Sequence, residues 1–196
     1  MPDIYLESVH LIKKNKKICN HLLALDKHTE ENIVDFLISL HIVLEVSLNS
    51  LFRRLTIEQI KKSVDRLKVI ENLDNISFID KTILFIYSSN FNFRSKLDKA
   101  TKYHKIISKM KQFSEARNKL LHGHSISTLF PQEGPERDSG MRALLSEKYM
   151  KEQIKRFKFI LEGMRFYIDC LESDFTSSGK KYLKKEFLND DFFEEV

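Results

Sequence analysis

Apolar residues recur every three to four positions along most of this chain, a spacing that places them on one face of an α-helix. The clearest stretch covers residues 30–54, where the repeat consists of Ile33, Leu37, Leu40, Leu44, Leu48 and Leu51. Further apolar residues widen this face on both sides, so the helix is predicted to be central to the core. No segment shows sustained alternation of apolar and polar residues, and strands are therefore not predicted.

The same spacing predicts six helices separated by polar or glycine-containing turns. Their ranges are 3–26, 30–54, 57–72, 78–87, 94–122 and 147–176. Thr56, followed three residues later by Gln59, resembles a capping box at the start of the third helix. Gly123 is suited to end the fifth helix, and residues 124–145, which contain two of the three prolines, are predicted to be a long loop. The predicted fold is all-α, an antiparallel helical bundle of about six helices.

Length and charge divide the chain into a basic body and an acidic end. The 196 residues suit one domain, predicted over 1–178 with the loop inside it. Residues 179–196 are predicted to be an acidic tail that contains phenylalanines, and 186–196 hold five acids and no base. The formal net charge is +5 for the whole chain and therefore +10 without that segment. A body this basic suits an anionic partner such as nucleic acid, although from charge alone a solvated lysine-rich surface is the commoner explanation.

Cysteine usage and hydropathy indicate the cellular compartment. Cys19 and Cys170 are far apart and belong to no Cys-x-x-Cys pair, so neither a disulfide framework nor a zinc site is indicated. Four lysines within residues 13–17 interrupt any apolar signal-peptide core. The most apolar stretch, 36–52, is short for a membrane span. We expect a cytoplasmic protein with no membrane association, no metal and no cofactor.

The end of the predicted helix 94–122 interrupts an apolar face with polar residues. At about 100° per residue, this face carries Ile106, Met110, Phe113, Leu120 and Leu121. Arg117 falls near its centre, where an arginine is costly unless it is paired or faces a wet cleft. Asn118 and His122 are four residues apart on one flank, and Glu115 extends that polar side. This pattern predicts a polar cleft or a polar dimer interface.

The string Arg117-Asn118, three further residues, His122 and Gly123 resembles the Arg-x(4–6)-His signature of HEPN domains, in which a polar residue follows the arginine. The arrangement of the helices before it is similar to the mannitol operon repressor group, and the resemblance covers about residues 30–125. It implies a helical bundle that forms a homodimer, with the motifs of two copies facing one cleft. It also implies metal-independent RNA cleavage, an activity of many HEPN domains.

The implied chemistry gives each motif residue a role. In RNA cleavage the ribose 2′-OH loses a proton as it attacks the phosphorus, and the leaving 5′-oxygen gains one. His122 would act as general base or acid. Arg117 would bind the phosphate and its developing charge, and Asn118 would orient the phosphate or the histidine. The first hypothesis is therefore an HEPN endoribonuclease, a toxin or antiphage effector with RNA as its substrate.

Three further residues are candidates for supporting roles. His41 and Glu45 are four residues apart on the central helix, and two ligands do not make a metal site. We interpret them instead as residues that contact Arg117 or the cleft. His124 stands where some HEPN toxins have a tyrosine that a partner nucleotidyltransferase modifies, which argues against that form of control. It is a loop histidine or a second titrating group.

Two alternatives leave the motif without catalytic chemistry. In one, the chain is a binding or regulatory HEPN module, similar to the mannitol operon repressor group or bound to an antitoxin or another protein. The long loop and the phenylalanines at 187, 192 and 193, which could form a docking peptide, favour this alternative. In the other, the motif only stabilises a helical dimer, with Arg117 paired to an acid such as Glu45 and His122 bonded to the end of its helix.

Overall fold

The computed structural model describes residues 2–59, 72, 75–89, 102–121, 145–171 and 176–189. These residues contain six α-helices, namely α1 (Pro2–Leu23), α2 (Glu30–Gln59), α3 (Phe78–Ser89), α4 (Ile106–Leu121), α5 (Glu147–Asp169) and α6 (Ser177–Phe187). The predicted all-α helical bundle is confirmed for this part of the chain. The ends of several helices differ from the prediction, and the differences have physical causes.

Helix α2 forms the centre of the bundle, as its broad apolar face predicts. It packs against each of the other five described helices. Its most buried side chains are at most 1% exposed and comprise Phe36, Leu40, Val43, Leu44, Leu48 and Leu51. Removing one such side chain from water contributes about 1.5–3 kcal/mol, so this one helix supplies a large part of the hydrophobic stabilisation.

The apolar part of α2 is longer than the sequence suggested. Residues Glu30–Thr56 form a stretch of 27 residues that is long and apolar enough, by length and composition, to cross a membrane. The core helix of a soluble protein meets the same criteria, and 56% of the most apolar window is buried inside this structure. The length and hydropathy of α2 therefore fit both a membrane-spanning helix and the core helix of a soluble protein.

Two predicted helix boundaries are wrong. Thr56 does not cap a new helix, because α2 continues through it to Gln59. Leu55 is 4% exposed, and its burial maintains the helix where local capping would have ended it. The predicted helix 94–122 is not continuous, because residues 102–105 form a turn before Ile106. Tyr103 in that turn packs on Phe159 and Phe166 of α5, with ring centroids 5.7 and 5.3 Å away.

The last predicted helix, 147–176, ends early. Ser146 caps α5 as predicted, and its Oγ accepts the backbone N–H of Tyr149 at 3.2 Å. The helix stops at Asp169, and Thr176 then caps the additional helix α6 by accepting the N–H of Gly179 at 3.1 Å. The sequence analysis places the end of the domain at residue 178 and the start of an acidic tail at residue 179. This position falls inside α6.

Helix α6 belongs to the hydrophobic core. Leu183, Phe187 and Leu188 are at most 3% exposed. Arg165 of α5 donates from both Nε and Nη2 to the carbonyl oxygen of Leu188, which secures the end of α6. Part of the segment expected to be a tail therefore contributes to folding. The phenylalanines at 192 and 193, which were candidates for a docking peptide, lie outside the described residues.

The start of α4 lies very close to α5 at Gly163. A Cβ atom on this glycine would lie 2.6 Å from Cδ1 of Ile106 and 3.2 Å from Cδ1 of Tyr103. Ile106 is 1% exposed, so its side chain has little room to move. A residue without a side chain at 163 therefore permits the close approach that places α4 in the bundle.

We expect Gly163→Ala to lower the free energy of unfolding by about 1–3 kcal/mol, because the new methyl group overpacks the contact with Ile106. Ile106→Val removes the clashing Cδ1 atom. In the double variant, the total loss should be smaller than the sum of the two single losses, as measured by urea unfolding. Strict additivity would contradict this account of the contact.

We expect Phe187→Ala to lower the free energy of unfolding by about 3–5 kcal/mol, because it leaves a cavity in the core. Tyr182→Ala is the matched control on the same helix, since Tyr182 is 48% exposed; its effect should stay within about 0.5 kcal/mol. Urea unfolding followed by circular dichroism measures both. Equal stabilities of the Phe187→Ala variant and the wild type would show that α6 does not belong to the cooperative core.

Candidate functional site

The apolar face of α4 reaches the protein surface at Arg117. Met110 and Phe113 are buried at 0% and 3% exposure, Arg117 is half-buried, and Asn118 and Glu115 are exposed. Nη1 of Arg117 donates to Oδ1 of Asn118 at 3.4 Å in an exposed setting. The sequence pattern places Arg117 on the core-facing side of its helix. In the structure its guanidinium lies at the boundary between the core and the solvent.

His41 of α2 packs directly against the helix that carries Arg117. Its ring is 3% exposed and lies nearly parallel to the ring of Phe113, with centroids 5.5 Å apart and an interplanar angle of 11°. The edge of Phe78 from α3 approaches the same imidazole at 5.8 Å. Because Phe113 precedes Arg117 by one helical turn, this stack places His41 immediately beneath the motif helix.

Glu45 lies one turn after His41 on α2 and pairs with it. His41 Nε2 and Glu45 Oε2 are 3.2 Å apart, and 37% of the glutamate side chain is exposed. The hydrogen bond from His41 is the largest of the influences that lower the pKa of Glu45, while partial burial opposes it. The positive charge of a protonated His41 lowers this pKa further, followed by those of Arg117 and Lys81. Glu45 is thus a carboxylate under the influence of cations from two neighbouring helices.

For the neutral form of His41, the surroundings of the ring indicate which nitrogen carries the hydrogen. Nδ1 is buried and has no hydrogen-bond partner within the part of the chain that the structure describes. A hydrogen on Nδ1 would be buried without an acceptor, which is unfavourable. The tautomer with hydrogen on Nε2 donates it to Glu45 and leaves only an unused lone pair at Nδ1.

Lys81 and Asn49 belong to the same cluster and were missed by the sequence analysis. Lys81 is 5% exposed, and its Nζ donates to Oδ1 of Asn49 at 2.8 Å. Asn49 lies one turn after Glu45, so His41, Glu45 and Asn49 follow one another along one side of α2. We call these three residues the polar line of α2. Their spacing of four within an apolar helix is visible in the sequence and could have identified Asn49.

Two of the predicted site residues, His122 and His124, lie outside the described residues. Among the described residues, the structure brings Arg117, Asn118, His41 and Glu45 to one region, whereas Glu115 is exposed and shows no contact with them. No group of three or more metal-ligating side chains occurs among the residues that could be searched.

Other features of the molecule fit catalysis less well. An apolar cavity of about 190 Å³ between α3, α4 and α5 is lined by residues that include Ile83, Tyr87 and Tyr167, and by none of the predicted site residues. Burial raises the pKa of the Cys19 thiol to about 12 and raises that of Cys170 as well. Neither cysteine is therefore activated as a nucleophile.

Comparison of the chain with protein-family models, with curated protein sequences and with solved structures found no match in any of the three. The functional interpretation therefore depends on the motif and on the geometry around it.

We expect His41→Phe to raise the pKa of Glu45 toward its ordinary value, because the variant keeps the ring stack on Phe113 but removes the hydrogen bond that lowers this pKa most. Carboxyl-carbon NMR titration measures the change. The pKa of Glu147, which is lowered mainly by a hydrogen bond from His28, should stay the same and serves as an internal control.

The sign of the pH dependence follows from the direction of this shift. A lowered pKa in the folded state means that Glu45 stabilises the protein above the pKa of the unfolded chain, and that this contribution is lost as the pH falls through the folded value. His41→Phe should therefore reduce the acid-induced part of the stability loss. An unchanged pKa of Glu45 in this variant would contradict the assigned hydrogen bond.

Proposed function

We propose that this chain is an HEPN-type, metal-independent endoribonuclease, in which Arg117 binds the scissile phosphate and His122 acts as acid or base. One observation carries the proposal. Arg117 and Asn118 lie side by side at the solvent boundary of an otherwise core-facing helix surface, and Arg117 lies within the electrostatic influence of Glu45, a partly exposed carboxylate paired with the buried His41. In the sequence, His122 directly follows the last residue of that helix.

The surroundings of Arg117 suit phosphate binding. A guanidinium presents a planar fork of donors that matches phosphate oxygens, and it remains charged at any physiological pH. Its half-buried position strengthens its interaction with an anion relative to that in bulk water. Because Asn118 accepts the hydrogen bond from Arg117 through Oδ1, its amide N–H groups can donate to the substrate or to the histidine.

The residue types also suit the reaction. The nucleophile in this cleavage is the 2′-OH of the RNA itself, so the protein supplies proton transfer and charge stabilisation. Histidine exchanges protons near neutral pH, and arginine stabilises the charge that develops on the phosphate. The proposed reaction requires neither a metal-bound water nor a cofactor. We further propose that two copies form a homodimer with their motifs facing one cleft, so that the two histidines divide the roles of base and acid.

A second candidate function is a non-catalytic HEPN binding or regulatory module. The interactions of Arg117 within its own chain favour this function. Arg117 interacts electrostatically with Glu45 and donates a hydrogen bond to Asn118, and both interactions also suit an arginine with a structural role. In this case an antitoxin or a regulatory protein would bind the module. In the first case the biological role would be that of a cytoplasmic toxin or antiphage effector.

We expect the purified protein to cleave RNA in the presence of EDTA, and we expect Arg117→Ala and His122→Ala each to lower the cleavage rate by about 100-fold or more. Arg156→Ala is the matched control, because Arg156 is a half-buried arginine bonded to Glu152 on α5. That variant should cleave at the wild-type rate. Thermal unfolding of each variant checks that loss of activity is not loss of fold.

Two outcomes would decide against the ribonuclease. Equal cleavage by the wild type, Arg117→Ala and His122→Ala would identify the activity as a contaminant. Absence of cleavage by a folded wild-type protein, together with recovery of a specific protein partner, would favour the regulatory module. Analytical ultracentrifugation of the wild type tests the proposed homodimer separately.

A further inference from the structure

We propose that the apolar cavity between α3, α4 and α5 binds one pyrimidine base of a single-stranded RNA, at a distance from the phosphate site at Arg117. The inference rests on the proposed function for its substrate, since it assigns a second part of the same RNA to this protein. The base site itself can be tested by binding alone, whether or not the protein cleaves RNA.

The size of the cavity limits its occupant to a single small ring. Its volume is about 190 Å³, and it is open to solvent on one side. Pockets that enclose drug-sized ligands have volumes of about 300–1,000 Å³, so a whole nucleotide does not fit. An apolar cavity of about 150 Å³ in another protein binds benzene, which is one six-membered ring. A pyrimidine base is also one six-membered ring, and it matches the cavity better than the two fused rings of a purine.

The walls of the cavity suit an aromatic ring. Isoleucines from α3 and α4, among them Ile83 and Ile107, supply apolar surface. Three rings complete the lining, those of Tyr87, His104 and Tyr167. Tyr167 is 1% exposed and forms an inner wall, whereas Tyr87 is 49% exposed and reaches the solvent. Bases in single strands bind by stacking on aromatic side chains, because every base has a π-face.

The charge beside the cavity favours RNA over an apolar side chain of a protein partner. Lys105 stands between two lining residues, His104 and Ile106, and its side chain is exposed. The lining itself, as far as the structure describes it, contains no acidic residue. A base that enters the cavity keeps its phosphate outside, where an exposed lysine can neutralise it. An apolar side chain of a protein would gain nothing from this lysine.

One side of α4 connects the cavity with the motif. Asn118 follows Ile107 by eleven residues, or about three helical turns, so both lie on the same side of the helix. Lys111 lies between them on this side, and both Lys111 and Asn118 are exposed. At about 1.5 Å per residue, the distance along the helix axis is about 16 Å, which a few nucleotides can span. A strand with one phosphate at Arg117 would therefore pass Lys111 and reach the cavity with a neighbouring base.

The test measures the binding of two short 2′-O-methyl RNA oligonucleotides, which lack the 2′-OH that cleavage requires. One carries uracil at every position, and the other is the same backbone without bases. We expect the wild type to bind the uracil oligonucleotide about 10-fold more tightly, because stacking of one base on an aromatic side chain contributes a factor of this order. Fluorescence anisotropy at one fixed salt concentration measures both dissociation constants, since phosphate contacts depend on salt.

Two variants locate the base. Tyr87→Ala removes a ring from the opening, and Ile83→Phe fills the cavity. Each should reduce the preference for the uracil oligonucleotide by about 10-fold and leave binding of the base-free backbone unchanged. Tyr182→Ala and Leu84→Phe are the matched controls, because Tyr182 is 48% exposed, Leu84 is 55% exposed and neither lines the cavity. If Ile83→Phe fails to fold, Tyr87→Ala decides the test at a half-exposed position.

The outcomes separate the base site from the ribonuclease. Equal binding of the two oligonucleotides by the folded wild type, or binding of neither, would overturn the base site even if the protein cleaves RNA in EDTA. A uracil preference that persists in Tyr87→Ala would overturn it as well. Equal binding together with a protein partner that Tyr87→Ala loses would identify a protein side chain as the occupant instead. A uracil preference that Tyr87→Ala loses, in a protein that does not cleave RNA, would refute the ribonuclease and leave the base site established.

Discussion

The burial of α2 is the constraint on which the rest of the structure depends. This helix touches every other described helix, and its leucines fill the space between them. A helix in that position has little surface left for water, so any polar residue on it must find a partner inside the protein. Asn49 meets this requirement through Lys81 of α3 and His41 through Glu45 on its own helix, whereas Nδ1 of His41 has no hydrogen-bond partner among the described residues.

The polar line of α2 therefore connects the stability of the bundle with the candidate site. Replacing these residues with leucine would extend the apolar face but would remove the Asn49 oxygen to which the buried Lys81 donates. Buried polar clusters of this kind are often neutral or unfavourable for stability compared with well-packed apolar residues.

Much of the fold could be predicted from the sequence, because apolar residues at helical spacing lie on the buried face of each helix. The central position of α2 and the cap of α5 at Ser146 depend on local patterns and are confirmed. The failures arise where tertiary packing outweighs local preference. Leu55 is buried and carries α2 past Thr56, and Tyr103 turns the chain onto α5. Helix α6 was not predicted because it contains few apolar residues among its lysines and acids, and only Leu183 and Phe187 of the helix are buried.

The candidate site was predictable only in part, for a related reason. A helical wheel places Arg117 on an apolar face but does not show which helix lies opposite, so Glu45 remained one candidate partner among several. A nearby carboxylate suits a structural arginine, and it also suits a phosphate-binding arginine whose guanidinium must be oriented. What differs is the balance of charge. A structural pair is satisfied by one acid for each base, whereas a phosphate site needs cationic charge left over. Arg117 and Lys81 both lower the pKa of Glu45, and the extent to which Glu45 neutralises Arg117 is what separates a structural arginine from a phosphate-binding one.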